Sequence, residues 1–134
     1  MKKLLPVIAG LLILVSIGFK VYNKLKPTKS VEFKLVEMAE EVNKNLPKKI
    51  NEDVTAESVA AGPGKLIQYN FILDNVNLNE LDLVEFKKTM RPQLEKSIDG
   101  NPQMKFFKAK KVAVKFSYYT KNKKLIADFL FDNK

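Results

Sequence analysis

The sequence predicts an α+β domain carried behind an N-terminal transmembrane or signal-anchor helix. Three observations lead there: an uncharged apolar run near the amino terminus, two amphipathic helical stripes, and paired stretches of alternating apolar and polar residues. Their order is α-β-β-α-β-β. The simplest packing is a four-stranded antiparallel sheet with both helices on one face.

The apolar run comes first. After Met1-Lys2-Lys3, the stretch Leu4–Phe19 holds sixteen residues without a charge. As a helix it would span about 24 Å, short of a hydrocarbon core of roughly 30 Å. Val21 and Tyr22 extend it if Lys20 lifts its ammonium to the headgroups. A basic tail before such a run marks export or membrane insertion. Ser16 and Gly18 are spaced for a signal peptidase, and cleavage there would release a secreted form. No Ala-x-Ala is present, which favours a retained anchor over residues 1–26. Lysines flank the run on both sides, so their count does not orient it. The short basic tail does, and it places residues 27–134 outside the cytoplasmic membrane, facing the periplasm.

The connector Lys20–Lys29 is basic, contains Pro27, and is too short to hold a domain far from a membrane. Val31, Leu35, Met38, Val42 and Leu46 then recur at helical spacing, with Glu32, Glu37, Glu40, Glu41 and Lys44 on the other side. Glu40 and Lys44 are spaced to pair, and Pro47 stops the helix. Val54–Ala61 reads as a strand. Ile67, Tyr69, Phe71 and Leu73 alternate with Gln68, Asn70, Ile72 and Asp74, a half-buried strand.

Asp82 and Glu85 form a capping box, and Leu81 and Phe86 stand at the positions of a hydrophobic staple. The helix they open buries Leu83, Phe86, Met90, Leu94 and Ile98. Pro92 should kink or split it near Lys88–Arg91, and Asp99-Gly100-Asn101-Pro102 ends it. Val112, Val114, Phe116 and Tyr118 alternate with Ala113, Lys115, Ser117 and Tyr119. Lys124–Phe131 alternates again. Between them Asn122 is the residue best suited to a positive φ.

Composition excludes whole classes of chemistry. No cysteine means no disulfide, thiolate metal site or cysteine nucleophile, and no histidine removes the commonest general base and metal ligand. No serine sits in a G-x-S-x-G context. Glu40/Glu41, and Glu52/Asp53 with Glu57, are the carboxylate clusters; they read as solvated charge on a helix and a connector. The chain reads as no enzyme, with no cofactor and no metal.

Gly62-Pro63-Gly64-Lys65 invites comparison with a phosphate loop. Such a loop needs a glycine five residues before its Gly-Lys pair, a Ser or Thr after it, and a helix following. Val59, Leu66 and a strand stand there instead, so the stretch is a hairpin turn.

The net charge of +9 is unevenly spread. Acids gather in residues 32–57, whereas Lys105, Lys108, Lys110, Lys111, Lys115, Lys121, Lys123 and Lys124 run without an acid between Gly100 and Asp128. Interleaved aromatics raise single-stranded nucleic acid as a ligand. Alternation sends Phe116 and Tyr118 to the core, and arginine occurs only at Arg91, so nucleic acid is disfavoured.

Asn43–Pro47 (N-x-x-L-P), Ala61–Lys65 (A-G-P-G-K) with Tyr69, Asn101–Met104 (N-P-x-M) and Lys124–Ala127 (K-L-I-A) together resemble a loose group of small bacterial envelope proteins, exported or membrane-anchored. Relatives of this kind often carry cysteine where this chain has Asp99. The resemblance implies an envelope location and supplies no activity.

These readings converge on a membrane-anchored envelope domain that binds another protein, in immunity, exclusion or assembly. The expected surface is the outward sheet face, Gln68, Asn70 and Ile72 with Lys115, Ser117 and Tyr119, joined by the hairpin lysines Lys121, Lys123 and Lys124. The alternative is capture of an anionic polymer or lipid headgroups by that basic hairpin.

Overall fold

The computed structural model describes residues 30–132 other than Asn51, together with Lys24. The expected anchor Leu4–Phe19, and the boundary after residue 26, lie outside the described residues. Among the described residues no helix is long and apolar enough to cross a membrane.

Helix α1 spans Val31–Asn43 and is capped by Ser30, whose hydroxyl accepts from the Phe33 N–H. Its buried stripe is Leu35, Met38, Ala39 and Val42. Lys44 bonds Glu41 at 2.6 Å rather than Glu40, because it lies beyond the last helical turn. Strand β1 is only Lys48–Lys49, after a cis Leu46–Pro47 bond. Strands β2 (Val54–Gly62) and β3 (Leu66–Leu73) form a hairpin whose turn holds Gly64 at φ 72°. Only glycine takes that conformation freely. Gly62-Pro63-Gly64-Lys65 is therefore a turn into a strand.

Helix α2 spans Leu83–Asp99. Asp82 caps it by accepting the Glu85 N–H at 3.1 Å, while the Glu85 carboxylate takes the Thr89 hydroxyl instead of closing the box. Contrary to expectation, Pro92 does not split this helix. Pro92 and Lys88 are both exposed, so the Lys88 carbonyl that loses its partner faces water. A third helix, α3 (Pro102–Ala109), was not expected. Asn101 caps it through its side chain to the Met104 N–H, and proline stands at the first helical position, where no N–H is needed. Strands β4 (Ala113–Thr120) and β5 (Leu125–Phe131) close the chain.

The sheet differs from the expected four-stranded antiparallel one. It has five strands in the order β1-β2-β3-β4-β5, and β3 and β4 run parallel. The physical reason lies in the connection: α2 and α3 carry the chain from the end of β3 back to its start, as parallel neighbours require. The expected single-sided helix layer holds. Leu35, Met38 and Val42, then Phe86, Met90 and Leu94, then Met104 and Phe107, join Val54, Ile67, Tyr69, Phe71, Val114, Phe116, Tyr118 and Phe129 in one core. Tyr69 stacks on Phe116 and Phe71 on Tyr118, at centroid distances of 5.7 and 5.5 Å. None of the alternate residues, from Gln68 to Tyr119, belongs to that core, and they form the second sheet face.

Candidate interaction surface

Parallel register sorts this second face into rows. Gln68 lies opposite Lys115, Asn70 opposite Ser117, and Ile72 opposite Tyr119. All six residues expected at the surface thus come together as three successive cross-strand pairs. An antiparallel pairing would have reversed them, setting Gln68 near Tyr119.

The centre of the face is a polar network. The Gln68 amide donates to Asn70 Oδ1 at 2.7 Å and to Ser117 Oγ at 3.2 Å, and Asn70 Nδ2 donates to Ser58 Oγ at 3.1 Å. Asn70 and Ser117, expected to face outward, are 9% and 1% exposed. Their side-chain bonds to Gln68 and Ser58 take the place of water. What the face presents is Gln68, Ile72, Lys115 and Tyr119, each half-buried, bordered by Leu125 and Leu130 at 50% and 47% exposure. Lys115 leans to Asp128 of β5 at 3.6 Å. At the β2 side, Asp74 accepts from Thr55 at 2.8 Å and meets Lys49 at 3.4 Å.

Lys121, Lys123 and Lys124 stand exposed on the β4–β5 hairpin. Lys123, not Asn122, takes the positive φ, at 64°. The Lys123 N–H bonds the Thr120 carbonyl and the Thr120 N–H bonds the Lys124 carbonyl, both at 2.8 Å. That is a three-residue loop in which the third residue must be left-handed.

The two edges of the sheet are finished differently. At the β2 edge, β1 pairs with Thr55 and Ala56. Beyond it the Asn43 side chain donates to the Val59 carbonyl at 2.7 Å and accepts the Val59 N–H at 2.8 Å. One amide thus stands in for a neighbouring strand. At the β5 edge, Arg91 Nη2 donates to the Leu130 carbonyl at 3.2 Å, and its guanidinium lies 4.7 Å from the Phe131 ring centre. A shallow cleft beside it is lined by Arg91, Glu95, Ile98, Asp99 and Lys108. Asn43, Ser58 and Arg91 were not singled out from sequence. An asparagine at a helix end gives no sign of the distant carbonyl it will meet.

Of the acids named from sequence, Glu57 departs from expectation: it lies in β2 beside Ser58, not in a connector, and its Oε2 is buried without a hydrogen-bond partner among the described residues. Glu40 and Glu41 are exposed on α1, and Asp53 accepts from Asn75 at 2.7 Å in the β2–β3 end connection. Among the described residues no three acids group as a metal site. Tyr69 and Tyr118 have hydroxyls buried without a hydrogen-bond partner, and burial pushes both phenols well above their ordinary pKa.

A mixed five-stranded sheet with the described helices on one side defines a small α+β domain. Residues 30–127 match a domain family of unknown function, DUF8479, and the chain belongs to that family. No curated protein matches the sequence. Three solved structures share the fold. A Pseudomonas aeruginosa protein predicted to be secreted has a TM-score of 0.60 at 21% identity, over 78% of this chain and 95% of its own. The type 2 secretion system pilotin EpsS of Vibrio vulnificus gives 0.58 at 10% identity, over 77% and 88%. The type II secretion system pilotin AspS of Vibrio cholerae gives 0.55 at 13% identity, over 77% and 89%.

Proposed function

We propose that this chain is a non-enzymatic, membrane-anchored envelope domain that holds another envelope protein, in the assembly of a secretion or pilus-type machine. The observation that carries this reading is the bare sheet face, where Gln68/Lys115, Asn70/Ser117 and Ile72/Tyr119 form three aligned rows bordered by half-exposed leucines. Its rows are fixed by a hydrogen-bonded centre, so the face is preorganised, and it mixes aromatic, apolar and amide groups as protein interfaces do. Fold likeness to secretion-system pilotins favours assembly over immunity or exclusion.

The test is copurification from detergent-solubilised membranes of cells that make the protein. Tyr119→Ala and Ile72→Ala should each lose the bound protein, while Glu40→Ala on the far side of α1 should retain it. Retention by both face variants would sink the reading. A second reading rests on Lys121, Lys123 and Lys124 at one hairpin tip. If an anionic polymer or lipid surface is the ligand, neutralising these lysines abolishes binding and rising salt weakens it steeply.

A further inference from the structure

We propose that the free edge of β5 pairs with the same edge of a second copy of this chain, antiparallel about a two-fold axis. The edge lies beside the sheet face considered above, so the inference is independent of that face's partner. β5 is the last strand of the sheet. Leu130 turns its carbonyl outward, to Arg91. Strand alternation then puts the N–H and C=O of Asp128, and the Leu130 N–H, on the same outer side. Among the described residues none but Arg91 bonds this edge. A carbonyl oxygen has two lone pairs, so Leu130 can keep Arg91 and still accept from another strand.

Natural sheets protect an exposed edge with proline, lysine, brevity or a covering element. The opposite edge follows that rule: β1 is only Lys48–Lys49, and the Asn43 amide occupies Val59 beyond it. The seven residues of β5, Leu-Ile-Ala-Asp-Phe-Leu-Phe, contain no proline and no lysine. With one edge open and the other closed, two copies can pair and a third cannot add.

Charge at the two ends of β5 selects a second copy as the occupant. Lys121, Lys123 and Lys124 stand exposed just before the strand. Just after it, Asp132 joins Glu95 and Asp99 in lining the cleft. Of the two cations there, Arg91 already meets Glu95 at 3.4 Å, and Lys108 is the other. Antiparallel pairing lays the lysine end of each copy against the acid end of the other, and the two-fold axis does so twice. Register follows from the same reasoning. An axis through Asp128 would set two Asp128 carboxylates opposite each other, and one through Leu130 would set Asp128 opposite Asp132 of the other copy. Like charges directly opposite destabilise a sheet. An axis through Phe129 sets Asp128 opposite Leu130 in both directions, each pair exchanging both main-chain bonds. It also brings Lys124 to within two residues of the position facing Asp132 of the other copy.

The chain has no cysteine, so one introduced thiol reports alone. The test makes Asp128→Cys, Leu130→Cys and, as a control on exposed Ala60 of β2, Ala60→Cys, each in the full chain in cells. A short thiol–thiol crosslinker is added, and products are identified by mass spectrometry. With the axis at Phe129, both edge positions stand roughly 8–9 Å from their own copies. Asp128→Cys and Leu130→Cys should therefore give crosslinked pairs of this chain in similar yield, and Ala60→Cys should give none. Lys124→Glu should cut the Leu130→Cys yield at least about threefold, the scale of two exposed ion pairs, and adding Asp132→Lys should restore it. Lys124 and Asp132 lie roughly 26 Å apart along one strand, so only pairing between copies explains such a rescue. Pairs from only one edge position would overturn the register about Phe129. Equal yield from Ala60→Cys, or no rescue by Asp132→Lys, would overturn the edge pairing in favour of another contact between copies. Crosslinks to a different protein, or to nothing, would overturn the second copy as occupant, and neither touches the reading of the sheet face, which Ile72→Ala and Tyr119→Ala decide.

Discussion

Single residues divide here into those that pair fully and those that do not. Asn43 satisfies both backbone groups of Val59 from a helix end, so Asn43→Ala strands a part-buried N–H and carbonyl. Urea unfolding should show a loss of about 1–3 kcal/mol. Tyr69 and Tyr118 are the opposite case, with buried hydroxyls that bond nothing. Tyr69→Phe and Tyr118→Phe should leave stability within about 1 kcal/mol of the parent or raise it. The same two phenols make stability fall at alkaline pH. Their folded pKa lies above the unfolded value, so above pH ~10 the unfolded chain releases protons that the native one keeps. Stability is complete below pH ~10 and falls above it by up to about 1.4 kcal/mol per pH unit for each tyrosine. Urea titrations at stepped alkaline pH check this, and the Phe variants should remove their share of the slope.

At the scale of elements, legibility followed periodicity. The α1 stripe, the alternation of β3 and β4 and the Asp82 cap of α2 are patterns long enough to read, and each forms. Strand β1 has two residues and so has no period. Helix α3 has eight, too few for a stripe beyond Met104 and Phe107, although Asn101-Pro102 carried the cap signal. Pairing direction has no signature in alternation, which reads the same both ways. The long helical connection between β3 and β4 was the available clue to a parallel pair. The six face residues were legible because alternation assigns them, and parallel register then aligned them in rows. Burial of Asn70 and Ser117 was not, because alternation gives a residue's face and not its exposure. Two substitutions test the α2 account. Asp82→Ala should lower stability by about 1 kcal/mol through the lost cap. Pro92→Ala should raise it, because a main-chain bond to Lys88 is restored in a helix that already runs through this position.

For the whole molecule, charge and layer order coincide. Acids gather on α1 and the start of β2, lysines on α3, β4 and the hairpin, with the bare face spanning the two halves. Such a bipolar field orients a charged partner during approach and is screened within roughly 8 Å at physiological salt. Neutralising Lys121, Lys123 and Lys124 to Gln should therefore slow association with a protein partner and flatten its salt dependence, while leaving dissociation nearly unchanged. Surface-plasmon measurements at two ionic strengths separate those rates. Abolished binding at both would favour an anionic polymer or membrane surface as the ligand.

An envelope partner for the sheet face requires this domain to stand outside the cytoplasm. Alkaline phosphatase fused after Lys134 tests that most directly, with enzyme activity and fragment size read on the same cells. A membrane-anchored envelope domain gives an active, full-length fusion in the membrane fraction. An inactive fusion retained there would contradict it, placing the lysine run in the cytoplasm and leaving the bare face without an envelope partner.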